Sequence, residues 1–275
     1  GSEMCIRDRN GEILNFLRSE CVKKGQLTPH YHYVSRPPFT EAEAVRRAIY
    51  LAGQTDTPLY IAHMTCREAI AELQKAKGTG QRVSGETCTH YLTTTKEVLD
   101  NPDFNEAAKF VCSPALRDRE DCEALWQALS DGLLTAVSSD HCGIDVAELK
   151  QAGRNDFTQI PNGSPGAGDR LHMVWTEGVC TGKLTRQKFV DVIATQPAKI
   201  NGIYPRKGTL AVGSDADVVI FDPNYEGTVH LADNPNGVDY NLYEGRRQSG
   251  RVETVLLRGQ VVVAVSYTHL RAHET

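Results

Sequence analysis

Two apolar stretches in this sequence each run into groups that can bind a metal or move a proton. "LYIAHMTC" (59–66) leads to His63, and "LLTAVSSDHC" (133–142) leads to Asp140. A neutral imidazole and a carboxylate are donors that a hydrolytic metal site uses, with one position left open for water. In a parallel βα architecture such groups sit at the carboxyl ends of the strands, and Ser113, after the apolar "KFVC", falls at a third such end. Two ligands are one fewer than a catalytic zinc takes, and the same spacing also fits a hydrogen-bonded strand-end histidine and a helix-capping aspartate.

Other candidates carry less. "HYH" (30–32) imitates a His-x-His metal pair, but its setting, "TPHYHYVSRPP", is rich in Tyr and Pro and is expected to pack as a loop. "PNGSPGAGD" (161–169) lacks both the Gly-Lys-Ser/Thr ending and the strand-to-helix context of a phosphate loop. Its exposed backbone groups suit either an amide-bearing ligand or a simple turn. His90 in "TCTHYL" and His172 in "DRLHMVW" read as core or supporting histidines rather than ligands.

The elements that must position these groups alternate along the interior. A helix is expected over 40–54, with Thr40 as N-cap and Glu43 three residues on, followed by a strand at "LYIAH". A helix at 67–78 with Ile70 and Leu73 on one face precedes a strand at 82–87, and "KFVCS" (109–113) is a further strand candidate. A helix at 119–132 then leads to a strand at 133–140. Apolar starts recur about every 25 residues, the pattern of parallel βα units with both sheet faces covered. From 205 to 263 the character changes to short β segments with Gly-Asx turns, ending in a hairpin around Arg258-Gly259.

Composition excludes several classes. The chain has 275 residues, 40% hydrophobic and 24% charged, with a net charge of -5, so it can bury a large core and offers no basic stripe for nucleic acid. No apolar run approaches the roughly 18 residues of a membrane span. The eight cysteines contain no Cys-x-x-Cys pair and read as reduced core thiols, which points to the cytoplasm. "GSEMCIRDR" and "AVSYTHLRAHET" lack the periodicity of their neighbours; 1–9 and 264–275 are expected to be non-native segments and stand outside the fold reasoning.

The stretches "HYVSRPPFTEAEAVRRAI", "PLYIAHMTC", "GETCTHYL", "KFVCSPALR", "SSDHC", "DFTQIPNG", "YPRKGTLAVGSDADVVIFDP" and "VDYNLYEG" together resemble the bacterial dihydropyrimidinase and D-hydantoinase group of the amidohydrolase superfamily. The resemblance runs in order over about residues 10 to 263. It implies an α/β fold: the C-terminal portion of a (β/α)8 TIM-type barrel over 10–204, with part of a small β-sandwich over 205–263. The implied reaction is hydrolytic opening of a cyclic amide, a 5,6-dihydropyrimidine or a 5-substituted hydantoin, to an N-carbamoyl amino acid.

In such enzymes two divalent ions, usually zinc, are bridged by hydroxide and a carboxylated lysine. By resemblance His63 matches a metal ligand, and Asp140 matches the aspartate that binds one metal and takes the proton from the attacking water. Ser113 and Asn162 match residues whose backbone groups hold the amide edge of the ring; His141, next to Asp140, is expected to support the site. The implied partners are a small cyclic ureide or imide and other copies of the chain, commonly in a tetramer, with neither nucleic acid nor membrane. Departures accompany the match: the family's His-x-His pair, bridging lysine and oxyanion tyrosine have no counterpart here, and Arg7 stands where a further histidine ligand is expected. The 275 residues are therefore expected to be an inactive, poorly soluble fragment with unpaired strand edges. Non-catalytic dihydropyrimidinase-related assembly proteins, allantoinases and dihydroorotases stay open as alternatives at this point.

Overall fold

A computed structural model describes residues 4–6 and 10–265, the first three in their backbone only. The chain divides into two compact units. One ends at Arg170 and takes in His230–Glu244; the other comprises Leu171–Val229 and the residues from Gly245 onward.

The first unit holds a four-stranded sheet in the order β1 (Met4–Ile6), β2 (Leu59–Ile61), β3 (Val83–Cys88), β4 (Ala136–Ser138), each neighbouring pair parallel. Parallel neighbours need crossover connections, and helices supply them. Between β1 and β2 lie α1 (Gly11–Lys23), α2 (His30–Val34) and α3 (Pro38–Gln54). The helix α4 (Arg67–Gly78) joins β2 to β3, and α5 (Thr89–Thr93), α6 (Phe104–Ala108) and α7 (Arg119–Ser130) lie between β3 and β4. At the sheet centre, β2 is a short apolar run, Leu-Tyr-Ile, whereas β3, Val-Ser-Gly-Glu-Thr-Cys, alternates buried and half-buried positions along most of its length. On α3, Ala44, Val45, Ala48, Ile49 and Ala52 form one buried face, and on α4 Ala69, Ile70, Leu73 and Ala76 form another. Leu73 is fully buried, a transfer worth about 1.5–3 kcal/mol for such a side chain. It approaches β3 at Gly85, where a Cβ would come within 2.6 Å of the Met64 sulfur and 3.1 Å of Leu73 Cδ2. That glycine is thus a packing requirement of the sheet.

Four expectations change. Thr40 is not the N-cap of α3: the cap is Pro37, Pro38 opens the helix, and Thr40 Oγ1 donates to Pro37 O at 2.8 Å. A proline has no N–H to satisfy and its fixed φ already suits the first turn, so no capping side chain is required. "KFVCS" is not a strand, because its acceptors are claimed elsewhere. Val111 O receives Gly163 N at 3.0 Å and Lys150 Nζ at 3.1 Å, and Lys150 Nζ also bonds Ala108 O at 2.8 Å. "HYH" lies in the single-turn helix α2 rather than in a loop. Residues 4–6, set aside from the fold reasoning, form β1 and cover the outer edge of β2. A three-residue strand is too short to show a period. The rest of the two terminal segments, 1–3, 7–9 and 266–275, lies outside the described residues.

The second unit begins its helical part with α8 (Arg170–Val174), continues through α9 (Arg186–Val190) and α10 (Gln196–Ile200), and ends in an antiparallel sheet, β5 (Val218–Thr228), β6 (Arg247–Leu257), β7 (Gln260–Ala264). Trp175 and Phe221 meet edge to face at 4.8 Å, with Phe189 5.3 Å from Trp175. Gly250, at φ +73°, allows β6 to pass against this cluster, since a Cβ there would lie 2.5 Å from Phe221 Cζ. The expected hairpin is present, with Arg258 at φ 50° and Gly259 at φ 80° between β6 and β7.

Candidate active site

His63, His90 and Asp140 each fall two residues beyond the end of a strand, after Ile61 of β2, Cys88 of β3 and Ser138 of β4. Because the strands are parallel and adjacent in that order, the three residues share the carboxyl edge of the sheet. His63 and His90 are buried and Asp140 is half-buried. Burial pushes the His90 imidazole down to about 4; the charge of Asp140 opposes that and His63 reinforces it, so both residues act on the one ring. His63 and Asp140 also share a left-handed backbone, at φ 39° and 41°. For residues with a Cβ this conformation is costly and persists only where the surroundings enforce it.

Those surroundings are specific. After β2, Met64 N donates to Glu86 O at 2.8 Å and Thr87 Oγ1 donates to Met64 O at 2.8 Å, which fastens the His63 turn to β3. One residue further, Thr65 N donates to Glu41 Oε1 at 2.8 Å, and Thr65 Oγ1 bonds the other oxygen of the same carboxylate. Arg117 completes the group: Nε donates to Thr65 Oγ1 at 2.9 Å, a terminal nitrogen lies 3.1 Å from Glu41 Oε2, and the other bonds Arg36 O. Glu41 and Arg117 are both almost fully buried, so this pair is fixed by complementary hydrogen bonds rather than by solvent. Sequence reasoning overlooked it. Glu41 occupies the same helical face as Ala44, Val45 and Ala48, and a carboxylate on an apolar face is the signal that could have found it.

Around Asp140, His141 pairs with Ser164 in a parallel bridge, Cys142 N donates to Ser164 O at 3.0 Å, and Gly166 N donates to His141 Nδ1 at 3.3 Å. The expected substrate-binding pair is brought together: Ser113 Oγ donates to Asn162 Oδ1 at 3.0 Å, across 49 residues of chain. Tyr91, beside His90, donates from its hydroxyl to Pro114 O at 2.8 Å and so joins the β3 end to the Ser113 turn. Lys150, fully buried beneath that turn, has its pKa pushed down to about 8 by desolvation. "HYH" serves packing as expected, although from a helix: His32 Nε2 is 2.7 Å from Cys112 O and His30 Nδ1 is 2.7 Å from Asp100 Oδ1. His172 lies in the second unit, where its Nε2 accepts from Val252 N at 3.4 Å.

The donors at this edge fit a divalent cation in type but not in number. Imidazole and carboxylate are suitable ligands, yet among the described residues no group of three His, Cys, Asp or Glu side chains could hold a metal ion. His63 and Asp140 are two such donors, one fewer than the protein ligands of a catalytic zinc.

Parallel strands bring imidazole and carboxylate to one carboxyl edge, the place where parallel βα architectures carry their functional groups. Residues 35–262 match the amidohydrolase family, and the chain belongs to that family, whose members are generally divalent-metal dependent. It is 47% identical to a D-hydantoinase of Ralstonia pickettii over 263 residues, 96% of this chain and 57% of that protein. It is 38% identical to a dihydropyrimidinase of Arabidopsis thaliana over 262 residues, 95% of this chain and 49% of that one. The crystal structure of a dihydropyrimidinase from Brevibacillus agri is similar with a TM-score of 0.94 at 42% identity, covering 96% of this chain and 57% of that one. The chain thus spans about half to three fifths of the length of these relatives. Among the described residues no helix is long and apolar enough to cross a membrane.

Proposed function

We propose that this chain carries part of the active site of a cyclic amidase that opens 5,6-dihydropyrimidines or 5-substituted hydantoins to N-carbamoyl amino acids. In this reading residues 10–204 are the later portion of a (β/α)8 barrel and 205–263 part of a β-sandwich. The natural assembly is a cytoplasmic homotetramer. The observation that supports the reading is that His63 and Asp140 each lie two residues beyond a strand of one parallel sheet, at its carboxyl edge.

His63 and Asp140 would hold a divalent ion, zinc in this reading. Such ions supply Lewis acidity that lowers the pKa of water from 15.7 toward about 7. Asp140 accepts the proton of the attacking water and returns it to the ring nitrogen as the C–N bond breaks, one proton in and one out. The Ser113–Asn162 contact holds two turns whose backbone groups bind the alternating C=O and N–H groups of the ring. The names and 36–47% identity of the hydantoinase relatives support this substrate class.

The test is ring opening by the metal-loaded natural protein carrying this sequence, with 5,6-dihydrouracil, a 5-substituted hydantoin, allantoin and dihydroorotate compared. Turnover of the first two ahead of the others is expected. Preference for allantoin or dihydroorotate reassigns the substrate, and failure with all four in a folded, metal-replete preparation defeats the reading in favour of a non-catalytic assembly role.

A further inference from the structure

The strand between the two proposed ligands ends in a pair of residues to which no role has so far been assigned. Thr89 and His90 follow β3 directly, and the register Cys88 to Ser138 sets His90 level with Asp140 on the next strand. The two are 1% and 4% exposed, and neither Thr89 Oγ1 nor His90 Nε2 has a hydrogen-bond partner among the described residues. Their carbonyls are satisfied, Thr89 O by Thr93 Oγ1 at 2.8 Å and His90 O by Thr94 N at 3.0 Å, and the His90 ring packs 4.1 Å from that of Tyr91. The deficit on these two consecutive residues is therefore confined to their side chains. Buried polar atoms are nearly always paired, so two orphans on consecutive residues at this sheet edge mark a place that a polar ligand completes.

The chemistry narrows the ligand. An imidazole nitrogen can donate or accept a hydrogen bond. The threonine hydroxyl likewise donates and accepts. A ring edge with C=O beside N–H matches both.

We propose that Thr89 and His90 are further substrate-binding residues, with His90 Nε2 and Thr89 Oγ1 taking one C=O/N–H edge of a cyclic ureide between His63 and Asp140. This rests on the ring-opening function proposed above and deepens it, assigning specificity for a ureide edge to residues outside the Ser113–Asn162 pair.

The natural protein carrying this sequence, zinc-loaded, is compared with His90→Phe, His90→Gln and Thr89→Val using hydantoin. His90→Phe is expected to raise KM by about tenfold or more while kcat changes by less than about threefold, Thr89→Val to act in the same direction, and His90→Gln to recover most of the loss. An unchanged KM in folded His90→Phe overturns the proposal, and so does equal damage from Phe and Gln. A second readout does not depend on turnover or on the variants folding: the His90 Nε2 resonance of ring-15N-labelled wild-type protein is followed as hydantoin is added. A saturable shift supports the contact and a constant resonance overturns it. Wild-type protein that opens no ring while its His90 resonance shifts would defeat the proposed hydrolysis and leave the binding contact standing.

Discussion

The turns that follow β2 and β4 and the hairpin between β6 and β7 share a backbone feature for opposite reasons. His63, Asp140 and Arg258 all lie in the left-handed region, at φ 39°, 41° and 50°. In the hairpin the cause is local. A two-residue reversal matching strand twist needs positive φ at both positions, and Gly259 at 80° supplies the second. In the sheet-edge turns the cause is tertiary: the Met64–Glu86 and Thr87–Met64 bonds and the Glu41–Thr65–Arg117 group hold the first turn in place. Strain of about 1–3 kcal/mol that several distant elements combine to enforce indicates function, whereas the same strain in a tight turn indicates chain reversal.

The sharpest way to break this comparison is to substitute both sites conservatively. Asparagine tolerates left-handed φ, so Asp140→Asn keeps the backbone and removes the carboxylate that serves as proton acceptor and proposed metal ligand. Ring opening by the natural protein should fall on the order of 10³-fold while Arg258→Asn leaves the rate unchanged. Comparable rates for the two variants would erase the distinction. Next in size is the enforcing network. Glu41→Ala leaves the Arg117 guanidinium buried without its carboxylate and should cost about 3–5 kcal/mol in urea unfolding. Arg247→Ala, which breaks the exposed Arg247–Glu226 pair across β6 and β5, should leave the unfolding midpoint unmoved.

The same division decides what the sequence could reveal. The helices at 67–78 and 119–130, the strands at 59–61, 83–88 and 136–138, and the Arg258-Gly259 hairpin were legible because periodicity and turn chemistry are local. "KFVCS" misled because its apolar run looks like a strand, while the Lys150 amine and Gly163 amide that claim the Val111 carbonyl come from 39 and 52 residues away. The contact between Ser113 and Asn162 was reachable only through resemblance, since nothing in either local stretch names the other. Glu41 was readable as a misplaced charge, but its partner Arg117, 76 residues on, was not.

Two lysines extend the contrast to pH. Lys150 in the first unit is held down to about 8 by burial, against an ordinary 10.5. Lys207 in the second is raised by its hydrogen bonds to Asp217 and Asp215. For Lys150 the folded state binds fewer protons than the unfolded between pH 8 and 10.5, so stability rises with pH across that window, by about 3 kcal/mol for a shift of this size. Below pH 8 the penalty of charging the buried amine is fully present. Denaturant unfolding of Lys150→Met should lack the alkaline rise. An unchanged slope would mean that Lys150 is not the group responsible.

The smallest effect is a gain in the hairpin. Arg258 occupies a position where a residue with a long side chain has no reason to be left-handed except the turn itself, and Asn-Gly is the pair this turn prefers. The hydrogen bond that ties the turn to Asp217 Oδ1, at 2.9 Å, comes from the backbone N–H of Arg258 and survives any substitution except proline. Arg258→Asn should therefore stabilise the chain by about 0.5–1 kcal/mol, read as a higher melting temperature. The corresponding relief at the sheet edge has no such free gain, since His63→Gly would relax φ while deleting the imidazole. A melting temperature that falls in Arg258→Asn would show that the arginine side chain, rather than the backbone conformation, dominates at this turn, and the local explanation of its strain would fail.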